Sequence, residues 1–364
     1  MKFSSVLLAT GVAATEATQR VTYNAHQVIR CEATTKNQMD QLQVMSEDPA
    51  LDLDFWMEPR KSAGAVDIMT TSVGHRAMIE DKLKAMDIPC RVMIEDVQTL
   101  IDLEKSRYDE SSKKVGEDSY FDDYRTWPEV HAYIEGLAAK FPDLANVWQV
   151  GTTYEGRPMK AITLSTKPNS GKPALWFDGG LHAREWITVP TVTYVADRLL
   201  NEYNSGSGNN STQLLDDFDV IICPILNVDG FDYTWNGDRM WRKTRTPNKG
   251  SPCDGTDPNR NWNFHWGEAG TSTQKCSDSY QGPSAASEVE VQAVQSYICE
   301  HKDTIKGYVN FHAYSQLWMS NWGYTEMLPA DYDDQNALSA AAVAAIKGVH
   351  GKTYDYGPIA TTIY

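Results

Sequence analysis

Between residues 27 and 96 the hydrophobic positions keep two rhythms. QVIRCEA (27–33), LDLDFWM (51–57), AVDIMTT (65–71) and CRVMIED (90–96) are short, rich in β-branched and aromatic residues, and read as strands. TKNQMDQLQVMSED (35–48) has helical spacing at Met39, Leu42 and Met45. HRAMIEDKLKAM (75–86) has it too, with Met78, Ile79, Leu83 and Met86 on one side. The order β-α-β-β-α-β predicts a small α+β open sandwich. A further helical stretch, VQTLIDLEKSRYDESSKK (97–114), turns polar and ends in the dibasic pair Lys113-Lys114. Such a pair between structured regions is either an exposed processing site for a trypsin-like protease or a solvated linker charge.

From Tyr120 the pattern changes. Helical WPEVHAYIEGLAAKF (127–141) precedes a hairpin, NVWQVGTTYEGRPMKAITLS (146–165). Strand ALWFDGG (174–180), helix VPTVTYVADRLLNEYN (189–204) and strand DVIICPILNVDG (219–230) follow. After a long loop come helix SEVEVQAVQSYICEH (287–301), strand GYVNFHAY (307–314) and an alanine-rich helix at 337–351. Strands alternating with helices predict an α/β domain whose mixed central sheet is covered on both faces.

Composition narrows the partners. The chain has 364 residues, 33 basic and 49 acidic, for a net charge of -16. Nucleic acid and anionic membrane surfaces attract Lys and Arg, so neither is expected as a partner. No apolar run has the length of a membrane helix. The start, Met1-Lys2 followed by apolar and small residues to Ala14, resembles a secretory signal over 1–17, which implies an extracellular protein. Asn209-Asn210-Ser211-Thr212 contains two overlapping glycosylation sequons in a Gly/Ser-rich stretch expected to be a loop. The six cysteines fit an oxidising compartment, with their individual states open.

GGLHAREW (179–186) carries the chemistry. His182 and Glu185 are ligand-capable residues three apart, but that bare spacing recurs at His265 and Glu268. Setting separates the two. His182 follows a strand and a Gly-Gly turn, the place where open α/β sheets build their sites. His265 lies in a loop with no preceding strand. A catalytic zinc site needs a third protein ligand and an open position. His312, in YVNFHAYSQ after an apolar strand run, is the candidate, although a strand-end histidine has other uses. Asp257 is a plausible holder of a ligand imidazole's second nitrogen.

In this order, GGLHAREW, NVDGF (227–231), RMWRKTR (239–245), DPNRNW (257–262), YQGPSAASEVEV (280–291), FHAYSQLW (311–318) and ATTIY (360–364) resemble the pancreatic-type zinc carboxypeptidases of the A/B group. RVMIEDVQ (91–98) resembles that group's inhibitory pro-segment. The resemblance implies a pro-segment over 18–114 and a catalytic domain over 115–364. It implies one Zn2+ held by His182, Glu185 and His312, with Asp257 behind His182. Arg242 would stabilise the oxyanion. Asn259, Arg260 and Tyr364 would bind the substrate's terminal carboxylate, and Arg184 and Tyr314 would line outer subsites. Ile359 and Ile363 would wall an apolar pocket left open by Gly323. Cys253 and Cys276 would form a disulfide.

A secreted zymogen follows, working as a monomer in a setting such as a digestive lumen, activated by a trypsin-like protease and removing apolar or aromatic residues from peptide and protein C-termini. In the family the general-base glutamate lies beyond the position matching Tyr364, and neither Glu326 nor Asp355 replaces it. The expectation is therefore an incomplete chain of a normal enzyme, its central sheet incomplete at the C-terminus. The alternative is a truncated, inactive zinc-binding secreted protein.

Overall fold

The structure, a computed structural model, describes residues 20–363 apart from 47, 52, 58, 61, 62, 114–116, 169, 208 and 269. The expected signal at 1–17, Lys114 and Tyr364 lie outside the described residues. The N-terminal unit comprises β1 (Gln27–Ala33), α1 (Lys36–Ser46), β2 (Asp54–Met57), β3 (Gly64–Thr70), α2 (Val73–Ala85) and β4 (Cys90–Ile94). Its sheet has the order β2-β3-β1-β4 with every pair antiparallel.

Strand alternation divides the apolar residues between two faces. Ile29 and Cys31 of β1 and Val66 and Ile68 of β3 meet Met39 and Leu42 of α1 and Ile79 and Leu83 of α2. Val28 and Met69 point the other way, toward Tyr23, Val97 and Ile101. Met78, expected on the inner side of its helix, is instead 42% exposed. Ile79 and Leu83, one turn apart, already fill the stripe facing the sheet. Cys31 and Cys90, directly opposite on β1 and β4, form a disulfide.

Helix α3 (Val97–Ser111) leads into the larger unit, its first turn capped by the Asp96 carboxylate, which accepts from Thr99 N at 2.9 Å. There follow α4 (Trp127–Lys140), β5 (Ala145–Thr152), β6 (Pro158–Leu164), β7 (Ala174–Asp178), α5 (Thr188–Ser205), α6 (Asn209–Asp217) and β8 (Asp219–Cys223). Beyond them lie α7 (Val228–Asn236), α8 (Val289–Glu300), β9 (Ile305–Asn310), β10 (Leu317–Ser320), α9 (Tyr332–His350), β11 (Asp355–Pro358) and α10 (Ile359–Thr362). The central sheet has the order β5-β6-β8-β7-β9. It is mixed: β7 runs parallel to β8 and β9, and the β5–β6 and β6–β8 pairs are antiparallel.

Both faces of this sheet are covered. Ile162, Leu164, Val220 and Ile222 pack on one side against Ile134, Leu137, Val192, Leu199 and Leu215 from α4, α5 and α6. Met159, Ala161, Trp176 and Ile221 pack on the other against Phe231 of α7 and Val294 of α8. The stretch expected as one strand to residue 230 stops at Cys223. The Asn227 side chain accepts from Gly230 N at 2.9 Å and starts α7 instead.

The tip of the β5–β6 hairpin is fastened by two buried carboxylates. Asp229 accepts from Thr153 Oγ1 at 2.6 Å, Glu155 N at 2.7 Å and Arg157 at 2.8 Å. Glu290 accepts from Tyr154 N at 3.0 Å, and its second oxygen has no hydrogen-bond partner. Burial pushes the Glu290 carboxyl up from 4.5 to about 7. A carboxyl raised on folding contributes fully below its unfolded value, and that contribution is lost as pH climbs through the folded one. Ionised Glu290 should therefore cost the fold up to about 3 kcal/mol. Glu290→Gln is expected to raise the melting temperature at pH 8.5 and leave it unchanged at pH 4.5, read by calorimetry at both values.

Candidate metal centre and active site

Two parallel strands deliver the candidate ligands to one edge. β7 and β9 are paired through Asp178↔Asn310, and Phe311 N continues the ladder by donating to Asp178 O at 2.9 Å. The chain then turns at Gly179-Gly180. A Cβ at Gly179 would lie 2.9 Å from Thr188 O, and Gly180 has φ +58° with Ile225 Cα 3.2 Å from where its Cβ would be. Both positions demand glycine, because the turn is wedged between the start of α5 and the chain leaving β8. The wedge places His182 and Glu185 on a turn ahead of α5, with Glu185 N donating to His182 O at 3.2 Å.

His182 and the Glu185 side chain are buried, whereas the His312 side chain is 30% exposed. His182 Nδ1 lies 2.7 Å from Glu185 Oε1. His312 Nδ1 lies 3.1 Å from His182 Nδ1 and 3.0 Å from Glu185 Oε2. Ligand atoms from the three residues all fall within 4.8 Å of one another. Three lone-pair-bearing atoms packed this closely require a shared cation or a proton between them. Around a tetrahedral zinc with bonds of 2.0–2.1 Å, ligand atoms stand about 3.3 Å apart. The donor set therefore fits zinc. No cysteine enters it, and the exposed side at His312 leaves room for water or substrate.

A second layer holds these groups. His182 Nε2 faces Asp257 Oδ1 at 3.0 Å, which turns Nδ1 toward the cluster. Asp257 Oδ2 accepts from Arg242 at 2.9 Å, and Arg242 approaches Glu185 Oε1 at 3.8 Å. Ala183 N donates to Arg242 O at 3.1 Å, so the arginine segment is tied to the ligand turn. Burial pushes the carboxyls of Glu185 and Asp257 up, yet both end well below their ordinary range. His182 and His312 outweigh burial at Glu185, and Arg242 and His182 do so at Asp257. Burial also works against the charge on Arg242, but Asp257 and Glu185 hold its pKa above the ordinary guanidinium value.

The other expected residues surround this cluster at different removes. Asn259 N donates to Asp257 Oδ1 at 2.8 Å, and Arg260 Nε donates to Gly270 O at 2.6 Å. Their loop is closed by the Cys253–Cys276 disulfide. Arg184 pairs with Asp278 at 3.1 Å and reaches Asp54 of the N-terminal unit at 3.8 Å. Tyr314 OH donates to Asp67 of that unit at 2.5 Å. Ile359 lies on α10 against Gly323, whose Cβ would be 3.2 Å from Ile359 Cγ2, with Ile363 just past the end of that helix. His265 sits apart, facing Glu268 at 2.7 Å and stacked on Tyr324.

The sequence reading missed Asp178, Asp278, Asp54 and Asp67. Asp178 had a signal, a lone charge ending an apolar strand. It is fully buried, accepts from Trp176 Nε1 at 2.7 Å and from Asn310, and locks together the two strand ends that precede the candidate ligands.

A sequence profile described as zinc carboxypeptidase matches residues 130–364, and one described as carboxypeptidase activation peptide matches 29–104. The chain belongs to the zinc carboxypeptidase family. Carboxypeptidase A1 of Sus scrofa is 36% identical over 341 residues, covering 93% of this chain and 80% of the relative. Carboxypeptidase B of Astacus astacus is 46% identical over 243 residues, 66% of this chain and 78% of its own. The solved carboxypeptidase A of Helicoverpa armigera superposes with a TM-score of 0.85 at 27% identity, over 95% of this chain and 84% of that one. The structure of thrombin activatable fibrinolysis inhibitor gives 0.82 at 29% identity, over 94% and 85%.

This zinc carboxypeptidase is thus a metallo-exopeptidase of the zymogen type, with one Zn2+ as cofactor, an activation peptide ahead of its catalytic domain and peptides as substrates. Among the described residues no helix is long and apolar enough to cross a membrane. Asp257→Asn is expected to weaken zinc binding about 10–100-fold, because the amide cannot hold the His182 ring as the carboxylate does. Competition with a chromophoric chelator measures it.

Proposed function

We propose that this chain is the secreted precursor of an exopeptidase that removes apolar or aromatic residues from peptide C-termini, with His182, Glu185 and His312 as its zinc ligands. The observation that carries the proposal is the hydrogen-bonded group of His182, Glu185, His312, Asp257 and Arg242 at the strand ends. Bound there, zinc polarises the scissile carbonyl and lowers the pKa of a coordinated water.

The chain's own groups do the rest. Arg242 stays ionised and faces the metal position, so its charge meets the oxyanion as it develops. Arg260, with Asn259, takes the substrate's terminal carboxylate. A guanidinium fork matches a carboxylate in two hydrogen bonds and so selects a chain end over an internal bond. Tyr364 would close over it. Ile359 and Ile363 offer an apolar wall to the terminal side chain. Arg184 and Tyr314 receive the residues further upstream.

Two carboxylates from the N-terminal unit stand where upstream substrate would pass: Asp54 beside Arg184 and Asp67 on Tyr314. Asp67 is fully buried and its partner Arg30 holds it from behind at 2.6 Å. Glu104 of α3 adds an ion pair to Arg239 at 2.7 Å, and Met240 inserts into the apolar face around Tyr23 and Val97. These contacts support a boundary near 114 between a pro-segment from 18 and the catalytic domain. The exposure of Lys113 supports activation by a trypsin-like protease at Lys113-Lys114.

A second reading is binding of zinc and peptide C-termini without turnover. Glu185 and Asp257, the carboxylates hydrogen-bonded to the imidazoles, are both committed to imidazole contacts, so neither is assigned as the base that takes the water's proton.

Treatment with trypsin, followed by assay on blocked dipeptides, separates the two. The first reading expects cleavage after Lys113 or Lys114, then release of Phe or Leu faster than Lys or Arg. Bound zinc with no hydrolysis after cleavage supports the second. Tyr314→Phe removes one hydrogen bond to Asp67, worth about 1 kcal/mol. It should speed loss of the cleaved pro-segment about 5-fold, followed by size-exclusion chromatography.

A further inference from the structure

The overlapping sequons at 209–212 open α6 rather than lying in a loop. This helix has a clear inner side. Leu215 is fully buried in the core beneath α5, and Ser211, one turn earlier, is buried with its hydroxyl donating to Glu202. Asn210, Gln213 and Asp217 share the opposite face and are exposed. The two sequons are therefore unequal. The Asn209 sequon depends on the Ser211 hydroxyl, which folds inward. The Asn210 sequon depends on Thr212, and Asn210 itself points to solvent.

We infer that Asn210 is an N-glycosylation site. The Asn210 amide nitrogen bonds to C1 of the terminal sugar of a lipid-linked oligosaccharide diphosphate. The C1–O bond breaks, the lipid diphosphate leaves with the electron pair, and a base takes one amide proton. Transfer onto the unfolded chain offers both asparagines, but a glycan on the solvent face of α6 lets Ser211 and Leu215 dock behind it.

The location also spares the metal centre. α6 runs directly into Asp219, the first residue of β8, which is parallel to β7. The candidate ligands leave the opposite ends of the parallel strands. Between Glu185 and α6, helix α5 adds 18 residues, about 27 Å at 1.5 Å each, so Asn210 follows the end of α5 remote from the candidate ligands.

The inference rests on the secreted reading, and one experiment separates their failures. The chain, with its own N-terminal segment, is expressed in a eukaryotic secretory host and treated with peptide N-glycosidase. Secreted protein should lose the mass of one oligosaccharide. Asn210→Gln and Thr212→Ala should abolish that shift, whereas Asn209→Gln and Ser211→Ala should retain it, with bound zinc unchanged throughout. Secreted protein without a shift overturns the glycosylation site alone. A shift that survives Asn210→Gln and disappears in Asn209→Gln moves it to the neighbour and overturns the assignment. A chain retained inside the cell with its first residues intact overturns the secreted reading and this one with it.

Discussion

Asp257 has no exposure, yet it carries a charge between an imidazole at 3.0 Å and a guanidinium at 2.9 Å. Burying a carboxylate is costly unless it is paired and fully hydrogen-bonded. Here one oxygen serves His182 and Asn259 N, and the other serves Arg242. That single group fixes which nitrogen of His182 faces Glu185. It holds Arg242 against the same cluster and starts the 3-10 turn Pro258–Arg260 that presents the proposed carboxylate clamp. The proposed metal ligation, oxyanion contact and chain-end recognition are thus mechanically joined through one buried side chain.

The sheet supplies the other half of this constraint. Parallel strands β7 and β9 end in register, so their following residues emerge together. Buried Asp178 bonds Asn310 across the pair, and the Gly-Gly turn lets β7 press against the segment leaving β8. Helix formation, strand alternation and core packing on both faces therefore converge on one outcome, the meeting of His182 with His312 across 130 residues.

Local periodicity made most elements legible. The open sandwich order, the β5–β6 hairpin and the alternating α/β pattern follow from spacing alone, and the structure shows each. Met78 shows the limit, because two residues adjacent on a helix compete for one inner stripe. The strand read through to residue 230 failed because the Asn227 cap, a local side-chain hydrogen bond, overrode an apolar run. GGLHAREW pointed to the candidate ligand pair through its strand–turn setting, and a resemblance to a family supplied the proposed roles of Arg242 and Arg260. Asp54 and Asp67 were out of reach. Their meaning arises only when one folded unit docks on another, and Asp67 meets Tyr314 from 247 residues away. The Cys31–Cys90 pairing was likewise open until strand register placed the two side by side.

The central claim is that one zinc ion is held by two imidazoles and a carboxylate at the ends of β7 and β9. X-ray absorption at the zinc edge of the purified, metal-loaded precursor tests it most directly. The account predicts one equivalent of zinc with two imidazole nitrogens at about 2.0–2.1 Å, the remaining ligands oxygen at about 2.0–2.2 Å, and no sulfur. A sulfur shell at about 2.3 Å, or an imidazole count that His312→Ala leaves unchanged, would contradict it.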